Sequence, residues 1–375
     1  MKVLQLITRL DKGGAPRVFL DLISGLTEQG IEVVMASGPS PHPEEDPELF
    51  SRQLHIPYHP LLSLRREISP IHDFLALFQI IALIRRERPA ILHTHTTKAG
   101  ILGRIAGKTT RTKTLHTPHG HLFYGYFGIG KEPLYRFLER LAARCCERII
   151  TISEDERRSY LEHGIGDKKK VVTIYNGIDM KRFPGDGKRV RKELGIDPHT
   201  PLVGFVGRLE TVKGPHLFVD AAMKIGNTVP QAHFLIIGDG TMKEELVQKA
   251  QGMPHVHVMG YREDIADCIA ALDILLIPSL NDGFNLVAVE AMASSKPIVA
   301  TAVGGLPEVI GDGGVLVESG DMTRMAEEVC KLLNSPDRRR EIGIRGRKRA
   351  EHLFSWEVCL QKTLDIYHKI AGKTR

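Results

Sequence analysis

The chain has 375 residues, more than one hydrophobic core usually organises, so two domains are expected. No apolar run approaches the roughly 18–20 residues of a membrane-spanning helix, and Met1-Lys2 leads into an apolar run without a signal-peptide pattern, so a cytoplasmic protein is expected. The formal charge is +6; thirteen Lys/Arg face only four Asp/Glu between Ile81 and Arg148, a basic stretch suited to phosphorylated acceptors or anionic lipid. The five cysteines, Cys145, Cys146, Cys268, Cys330 and Cys359, are odd in number and form no C-x-x-C pair, which argues against a disulfide framework or a zinc knuckle.

In chain order, Val3 to Ile7 reads as a strand, followed by Gly13-Gly14 and an amphipathic helix near Arg17 to Gln29. Glu32 to Ala36 is a second strand, Ile71 to Arg86 a helix, and Ile91 to His95 another strand. After a cluster of turn formers from Asn176-Gly-Ile-Asp179 to Gly185-Asp-Gly187, the same alternation restarts. Strands are expected at Leu202 to Val206, His233 to Ile237, His255 to Met259, Asp273 to Pro278, Pro297 to Thr301 and Gly314 to Val317, with helices between. Repeated β-α units imply α/β architecture: two Rossmann-like, doubly wound parallel sheets, with the active site in a cleft that the two domains face.

The stretch Ser279-Leu-Asn-Asp282-Gly283-Phe284-Asn285-Leu286-Val-Ala-Val-Glu290 places two acids around the start of a helix that follows a buried strand. Free N–H groups at that start suit a diphosphate. Glu290 would stand roughly 12 Å from Asp282 at about 1.5 Å per helical residue, so one acid can take sugar hydroxyls and the other a ribose. Gly207-Arg208-Leu-Glu-Thr-Val-Lys213-Gly214 follows another strand and supplies two cations for a departing diphosphate. Gly13-Gly14 would let backbone approach phosphates or acceptor closely; without a G-x-G-x-x-G fingerprint, a dehydrogenase reading is weak.

His93 and His95 alternate onto one strand face, and His116-Thr-Pro-His119-Gly-His121 follows. With no D-x-D element, no metal is expected. The arginines Arg136, Arg140, Arg144 and Arg148 form one helical stripe, while Leu134, Phe137, Leu138 and Leu141 lie on another face. This basic 131–148 helix, beside aromatics such as Tyr124, suits an anionic membrane surface, which would place the protein peripherally on the inner face of the membrane. No recognition motif for nucleic acid accompanies the charge.

The ordered set Gly207-Arg-Leu(x4)-Gly214, Ile237-Gly-Asp-Gly240, Gly260-Tyr-Arg-Glu-Asp264, Asp282-Gly-Phe(x6)-Glu290-Ala-Met-Ala293 and Gly304-Gly-Leu-Pro-Glu308 resembles the family 4 retaining glycosyltransferases of GT-B fold. The resemblance covers nearly the whole chain. It implies an acceptor domain at 1–178, completed by a C-terminal helix 356–375 that crosses back onto it, and a nucleotide-sugar donor domain at 179–355. It implies that Arg208 and Lys213 hold the diphosphate, Glu290 the ribose, the acid at Asp282 the donor sugar, and that Gly207, Gly283, Phe284, Asn285 and Leu286 line the donor site. Arg262 is a candidate base contact. Thr117-Pro-His119-Gly120 resembles the family's T-x-H-G loop, where His119 faces donor sugar or acceptor; His93, His95, His121 and Tyr124 are acceptor candidates. The nucleotide sugar is then a co-substrate, UDP first and GDP next, and no cofactor is expected. Acceptors would be glycans or polyprenyl-linked sugars. Two departures stand out: the family's first Glu is Asp282, and its second Gly is Asn285. They leave an inactive binding or scaffold subunit as one alternative; a nucleotide-sugar 2-epimerase, which can share this architecture, is another.

Overall fold

The computed structural model describes residues 1–40, 43, 46–120 and 132–372. It divides into two units, Met1–Asn176 with Cys359–Arg375, and Gly177–Val358.

In the first unit the elements run β1 (Lys2–Ile7), α1 (Gly14–Glu28), β2 (Glu32–Ser37), α2 (Pro47–Gln53), β3 (Tyr58–Pro60), α3 (Pro70–Glu87), β4 (Ile91–His95), α4 (Thr97–Thr110), β5 (Lys113–Thr117), α5 (Glu132–Ala143), β6 (Arg148–Thr151), α6 (Glu154–Glu162) and β7 (Val171–Thr173). The second unit adds α7 (Gly187–Glu193), β8 (Leu202–Val206), α8 (Pro215–Thr228), β9 (His233–Ile237), α9 (Lys243–Ala250), β10 (Val256–Gly260), α10 (Ile265–Ala271), β11 (Ile274–Ile277), α11 (Leu286–Ala293), β12 (Ile298–Thr301), α12 (Leu306–Ile310), β13 (Gly314–Val317), α13 (Met322–Leu333) and α14 (Pro336–Leu353). The last helix, α15 (Trp356–Ala371), enters the first unit from Cys359 onward.

The sheets are parallel throughout, in the orders β3-β2-β1-β4-β5-β6-β7 and β10-β9-β8-β11-β12-β13. Strand order reverses between β1 and β4 in the first and between β8 and β11 in the second. At such switch points the connecting helices leave to opposite faces and open a crevice at the strands' carboxyl ends, where ligands of open α/β sheets bind. The central strands of the second sheet read as continuous apolar runs, as doubly covered parallel strands should: Leu202, Val203, Phe234, Leu235, Ile274 and Leu275 are all buried.

The first sheet departs from that rule. Gln5, His93, Thr94, His95, His116 and Thr117 are buried polar residues on three adjacent strands, with Gln5 opposite His93 and His95 opposite Thr117 in the parallel register. Helix α4 lies directly on the Thr94 and His116 face of these strands. A Cβ at Gly100 would sit 2.2 Å from the His116 ring, and one at Gly107 2.1 Å from Thr114 Oγ1, so only glycine allows the approach. Beneath α4, Arg104 and Glu139 form a fully buried 2.7 Å ion pair, and Glu139 Oε1 lies 3.7 Å from His116 Nε2. Helix α5 therefore turns its acid inward, while Leu134, Phe137 and Leu141 are exposed; it ends at Ala143 and Arg148 opens β6, so the four arginines expected along one helix do not form a single helical stripe.

The turn formers at Gly185 and Gly187 are no loose hinge. A Cβ on either would fall about 2.5 Å from the α10 backbone, so this stretch is packed into the second unit.

Candidate active site

The second unit gathers its charged residues at its switch point. The loop after β8 carries Lys213, the loop after β11 carries Asp282, and Leu280 N–H donates to Val212 O at 2.9 Å to join them. Asp282 is buried. Its Oδ2 accepts from Lys213 Nζ at 2.7 Å, from Asn285 Nδ2 at 2.7 Å and from Ser279 Oγ at 3.4 Å. The Asp282 backbone is clamped as well: Gly305 N–H donates to its carbonyl at 2.8 Å. A Cβ at Gly304, whose φ is 53°, would meet that carbonyl at 2.2 Å, which requires glycine there.

Asn285 is the N-cap of α11, its Oδ1 accepting from Ala288 N–H at 2.8 Å. One amide side chain thus starts the helix and holds the carboxylate. Helix geometry gives the Leu286 and Val287 N–H groups no intrahelical acceptor, so they remain suited to anionic oxygen beside Lys213. The helix begins at Leu286, so the eight residues from Asp282 to Glu290 are not all helical, and the separation of roughly 12 Å expected from a continuous helix does not apply. Glu290 lies about one turn into α11 and is buried to 2% exposure. Phe284 packs edge-on against Phe354 at 5.6 Å, so its ring is a core element and only its backbone borders the loop.

Arg208 is exposed, with no ion pair among the described residues. Its loop is seated by Gly207 N–H on Ile237 O and Leu209 N–H on Asp239 O, so the Gly207 and Gly238-Asp-Gly240 motifs lie side by side. Arg262 is elsewhere. Its guanidinium is held by Asp264 at 2.6 and 2.8 Å and by Glu193 at 2.7 Å. Through these bonds the side chain ties β10 to α7 and α10.

In the first unit, Gly13 caps α1 at φ 154°, a conformation that L side chains rarely adopt, at the carboxyl end of β1, and Gly14 is the first helical residue. His93 and His95 do share a strand face, their rings 4.1 Å apart. Both are buried to 1% exposure with both ring nitrogens engaged: His93 by Tyr367 and Thr117, His95 by His119 and Gln5. All four ring nitrogens are thus bonded within the protein, and His95 reaches His119 directly. His119 is partly buried at φ 61°, and its Nδ1 has no hydrogen-bond partner among the described residues. Burial lowers His93 to about 3 and His119 to about 4, so these rings are neutral at neutral pH. Gly120 N–H donates to the buried Glu156 carboxylate at 3.0 Å, and Ile152 N–H to its other oxygen at 2.8 Å. Burial raises that acid to about 7. His121, Tyr124 and Lys131 lie outside the described residues.

The supporting residues Gln5, Glu156, Ser279 and Tyr367 were not singled out from the sequence. Of the four, only Gln5, a polar break in the apolar strand β1, carried a signal in the sequence.

Residues 12–182 match Glycosyltransferase Family 4, and residues 200–335 match Glycosyl transferases group 1. The UDP-Gal:alpha-D-GlcNAc-diphosphoundecaprenol alpha-1,3-galactosyltransferase of Escherichia coli is 31% identical over 72% of this chain and 73% of its own. A D-inositol 3-phosphate glycosyltransferase of Geodermatophilus obscurus is 30% identical over 95% of this chain and 85% of its own. Among solved structures, Anabaena HepE in complex with UDP superposes with a TM-score of 0.82 at 22% identity, covering 98% of this chain and all of that one. Sucrose-phosphate synthase from Thermosynechococcus elongatus gives 0.83 at 23% identity, with both chains fully covered. Family matches in both halves of the chain, over two sheets with this strand order, make the protein a member of the family 4 glycosyltransferases of group 1.

Proposed function

We propose that this glycosyltransferase moves a hexosyl unit, with retention, from a UDP-sugar to a polyprenyl-diphosphate-linked or polysaccharide acceptor. The observation that carries the reading is the Lys213–Asp282–Asn285 cluster at the head of α11. All the described bonds to the Asp282 carboxylate use Oδ2, so Oδ1 faces no described partner and can accept a donor-sugar hydroxyl. An ammonium has three N–H donors; one of Lys213's goes to Asp282, which leaves two for diphosphate oxygens, with Arg208 and the first-turn amides of α11 adding to them. As the bond from the sugar's anomeric carbon to the diphosphate breaks, these groups stabilise the charge gathering on the leaving oxygen. The acceptor hydroxyl bonds to the same face of that carbon, and its proton passes to the departing phosphate oxygen. UDP is favoured because the Escherichia coli relative is named for a UDP-sugar and the Anabaena neighbour was solved with UDP. His119 offers its ring to a sugar hydroxyl, and Glu290 offers its carboxylate to the ribose. A lipid-linked acceptor agrees with the diphosphoundecaprenol in the name of the Escherichia coli enzyme.

The test is thermal stability with UDP, GDP and ADP and their hexose conjugates, with and without EDTA. A ligand of the native state at a hundred times its Kd adds about 2.7 kcal/mol. Stabilisation by UDP that survives EDTA is expected; a folded protein indifferent to all three nucleotides refutes the donor site.

An anionic membrane surface is part of the proposal. Helix α5 exposes Phe137 and Leu141 beside Arg140 and Arg144, and the adjacent region of α3 exposes Ile71, Phe74, Leu75 and Phe78, with Arg65 and Arg66 nearby in sequence. Helix α3 is apolar on both faces: Ala76, Ile80, Leu83 and Ile84 fill the core, and the outer stripe is open to solvent. Flotation with phosphatidylglycerol vesicles, but not phosphatidylcholine vesicles, is expected and should be lost in Phe74→Asp/Phe78→Asp. No flotation of the wild type removes the membrane from the proposal.

A further inference from the structure

The polar chain under His119 can be followed proton by proton. Gln5 Nε2 donates to the Tyr367 hydroxyl at 2.8 Å, and that hydroxyl lies 2.7 Å from His93 Nδ1. His93 Nε2 lies 2.9 Å from Thr117 Oγ1. On the other side of the amide, Gln5 Oε1 is 2.9 Å from His95 Nε2, and His95 Nδ1 is 2.8 Å from His119 Nε2. Each link holds one proton, and a neutral imidazole carries one N–H. The Gln5 amide therefore dictates the tautomers of His95 and His119. With Oε1 toward His95, that ring donates from Nε2, its Nδ1 must accept, and His119 must donate from Nε2.

His119 Nδ1, buried and unpartnered among the described residues, is then a bare lone pair. Reversing the amide would satisfy the same links but would turn His119 Nδ1 into a buried N–H with no acceptor. Orphaned N–H groups are rarer than under-used acceptors, so the observed orientation is the favoured one. Burial keeps the rings of the chain uncharged, which removes the spare proton that would blur the distinction.

We propose that Gln5, His95 and Tyr367 are positioning residues for sugar transfer: they fix His119 as the Nε2–H tautomer and so present Nδ1 as an acceptor for a substrate hydroxyl. An acceptor-only nitrogen selects a hydroxyl and rejects a phosphate or carboxylate oxygen, so the chain also sets what chemistry the His119 loop takes. The inference rests on the reading of His119 as a substrate contact. Tyr367 belongs to α15, which gives the last helix a part in the site as well as in packing.

The test is a long-range proton–nitrogen correlation spectrum of the full chain labelled with ¹⁵N-histidine, with the His119 signals assigned by their loss in His119→Gln. The wild type should show His119 protonated at Nε2 and unprotonated at Nδ1. Gln5→Leu removes the acceptor that orders His95, and Tyr367→Phe, nearly isosteric, frees the amide to turn. In both, His119 should divide between tautomers and kcat/KM should fall about tenfold, the scale of one hydrogen bond, in protein with native circular dichroism. Should Gln5→Leu fail to fold, Tyr367→Phe still decides. A wild-type His119 protonated at Nδ1, or a single Nε2–H tautomer that persists in the folded variants, overturns the proposal. Wild-type transfer by His119→Gln with the Nε2–H spectrum intact is a different result: it refutes the functional reading of His119, and the chain's service to catalysis with it, while the tautomer assignment stands.

Discussion

Replacing Lys213 by Met separates two contributions that one ammonium makes. Lys213 is the cationic partner of Asp282 at 2.7 Å, with side-chain exposures of 19% and 3%. Breaking a fully buried ion pair costs about 3–5 kcal/mol. Here the lysine keeps some solvent, and Asn285 and Ser279 still donate to the carboxylate, so a loss of about 2–3 kcal/mol is expected. At about 2–4 °C per kcal/mol that is a fall of about 5–10 °C in Tm. Transfer should suffer differently. Removing one donor that stabilises developing oxyanion charge lowers kcat by about 10²–10³. The double variant Lys213→Met/Asp282→Asn discriminates, because Asn leaves no unpaired charge: it should recover most of the stability and none of the turnover. Thermal denaturation and initial rates of sugar transfer on the wild type and the two variants are the assay. If folded Lys213→Met keeps kcat within about threefold of the wild type, the ammonium has no place in the leaving-group argument.

Asn285→Gly removes the cap and the second donor to Asp282 together. Glycine replaces an N-cap for a few tenths of a kcal/mol, so most of an expected loss of about 2 kcal/mol comes from the bond to the carboxylate; a rise in donor KM should accompany it, and a variant with unchanged KM and Tm would show that Asp282 is held by Lys213 alone. Glu139→Gln strands buried Arg104 and should cost about 3–5 kcal/mol in urea denaturation, whereas Arg104→Met/Glu139→Leu should come out near neutral; equal losses would mean the pair is not the source. The pH dependence has two opposing parts. His93 and His119 stay neutral in the fold down to about 3 and about 4 but titrate near 6.5 when exposed, so the unfolded chain binds protons that the fold refuses. Their contribution is full above pH 6.5 and falls by roughly 1.4 kcal/mol per pH unit for each ring as the solution is acidified toward pH 4. Glu156, raised to about 7 from 4.5, binds its proton first in the fold and adds stability as pH falls through that window. Denaturation at pH 7.5, 6 and 5 should therefore show a steeper acid loss for Glu156→Gln than for the wild type, and parallel curves would mean that the carboxyl does not take up a proton there.

The alternation of strands and helices was legible because period and composition agree in it. Val3 to Ile7, Leu202 to Val206 and Gly314 to Val317 are apolar and bounded by turn formers, and they appear as β1, β8 and β13. The short strands β3 and β7, with three residues each, carry too little pattern to stand out. At the site, Lys213, Asp282 and Asn285 were legible as loop residues at strand ends. That Asn285 caps α11 and grips Asp282 was not, because both contacts depend on the residue at which α11 starts, which helical periodicity does not fix. The histidines show the same limit. Alternation placed His93 and His95 on one face, yet whether that face meets substrate or protein depends on Tyr367, more than 270 residues away in sequence.

The two departures from the family pattern explain each other. An aspartate at 282 reaches one methylene less far than glutamate and, alone, would meet Lys213 with half its carboxylate undirected. Asn285 supplies what is missing: Nδ2 fixes Oδ2, which leaves Oδ1 without a described partner, and Oδ1 of the amide caps the helix whose N–H groups stand beside it. A glycine at 285 could do neither, and an asparagine there beside a glutamate would crowd a longer side chain against its own cap. Degeneration leaves polar groups buried without partners, since nothing then selects for their satisfaction. At Asp282 the reverse holds: three donors converge on one buried oxygen, and the loop is clamped from Gly304 and Gly305 as well. A scaffold subunit has no use for a carboxylate ordered to that degree, whereas a transferase that must read one sugar hydroxyl does. Under the proposed function, the Asp282–Asn285 pair is a rewired donor site whose geometry narrows the sugars accepted.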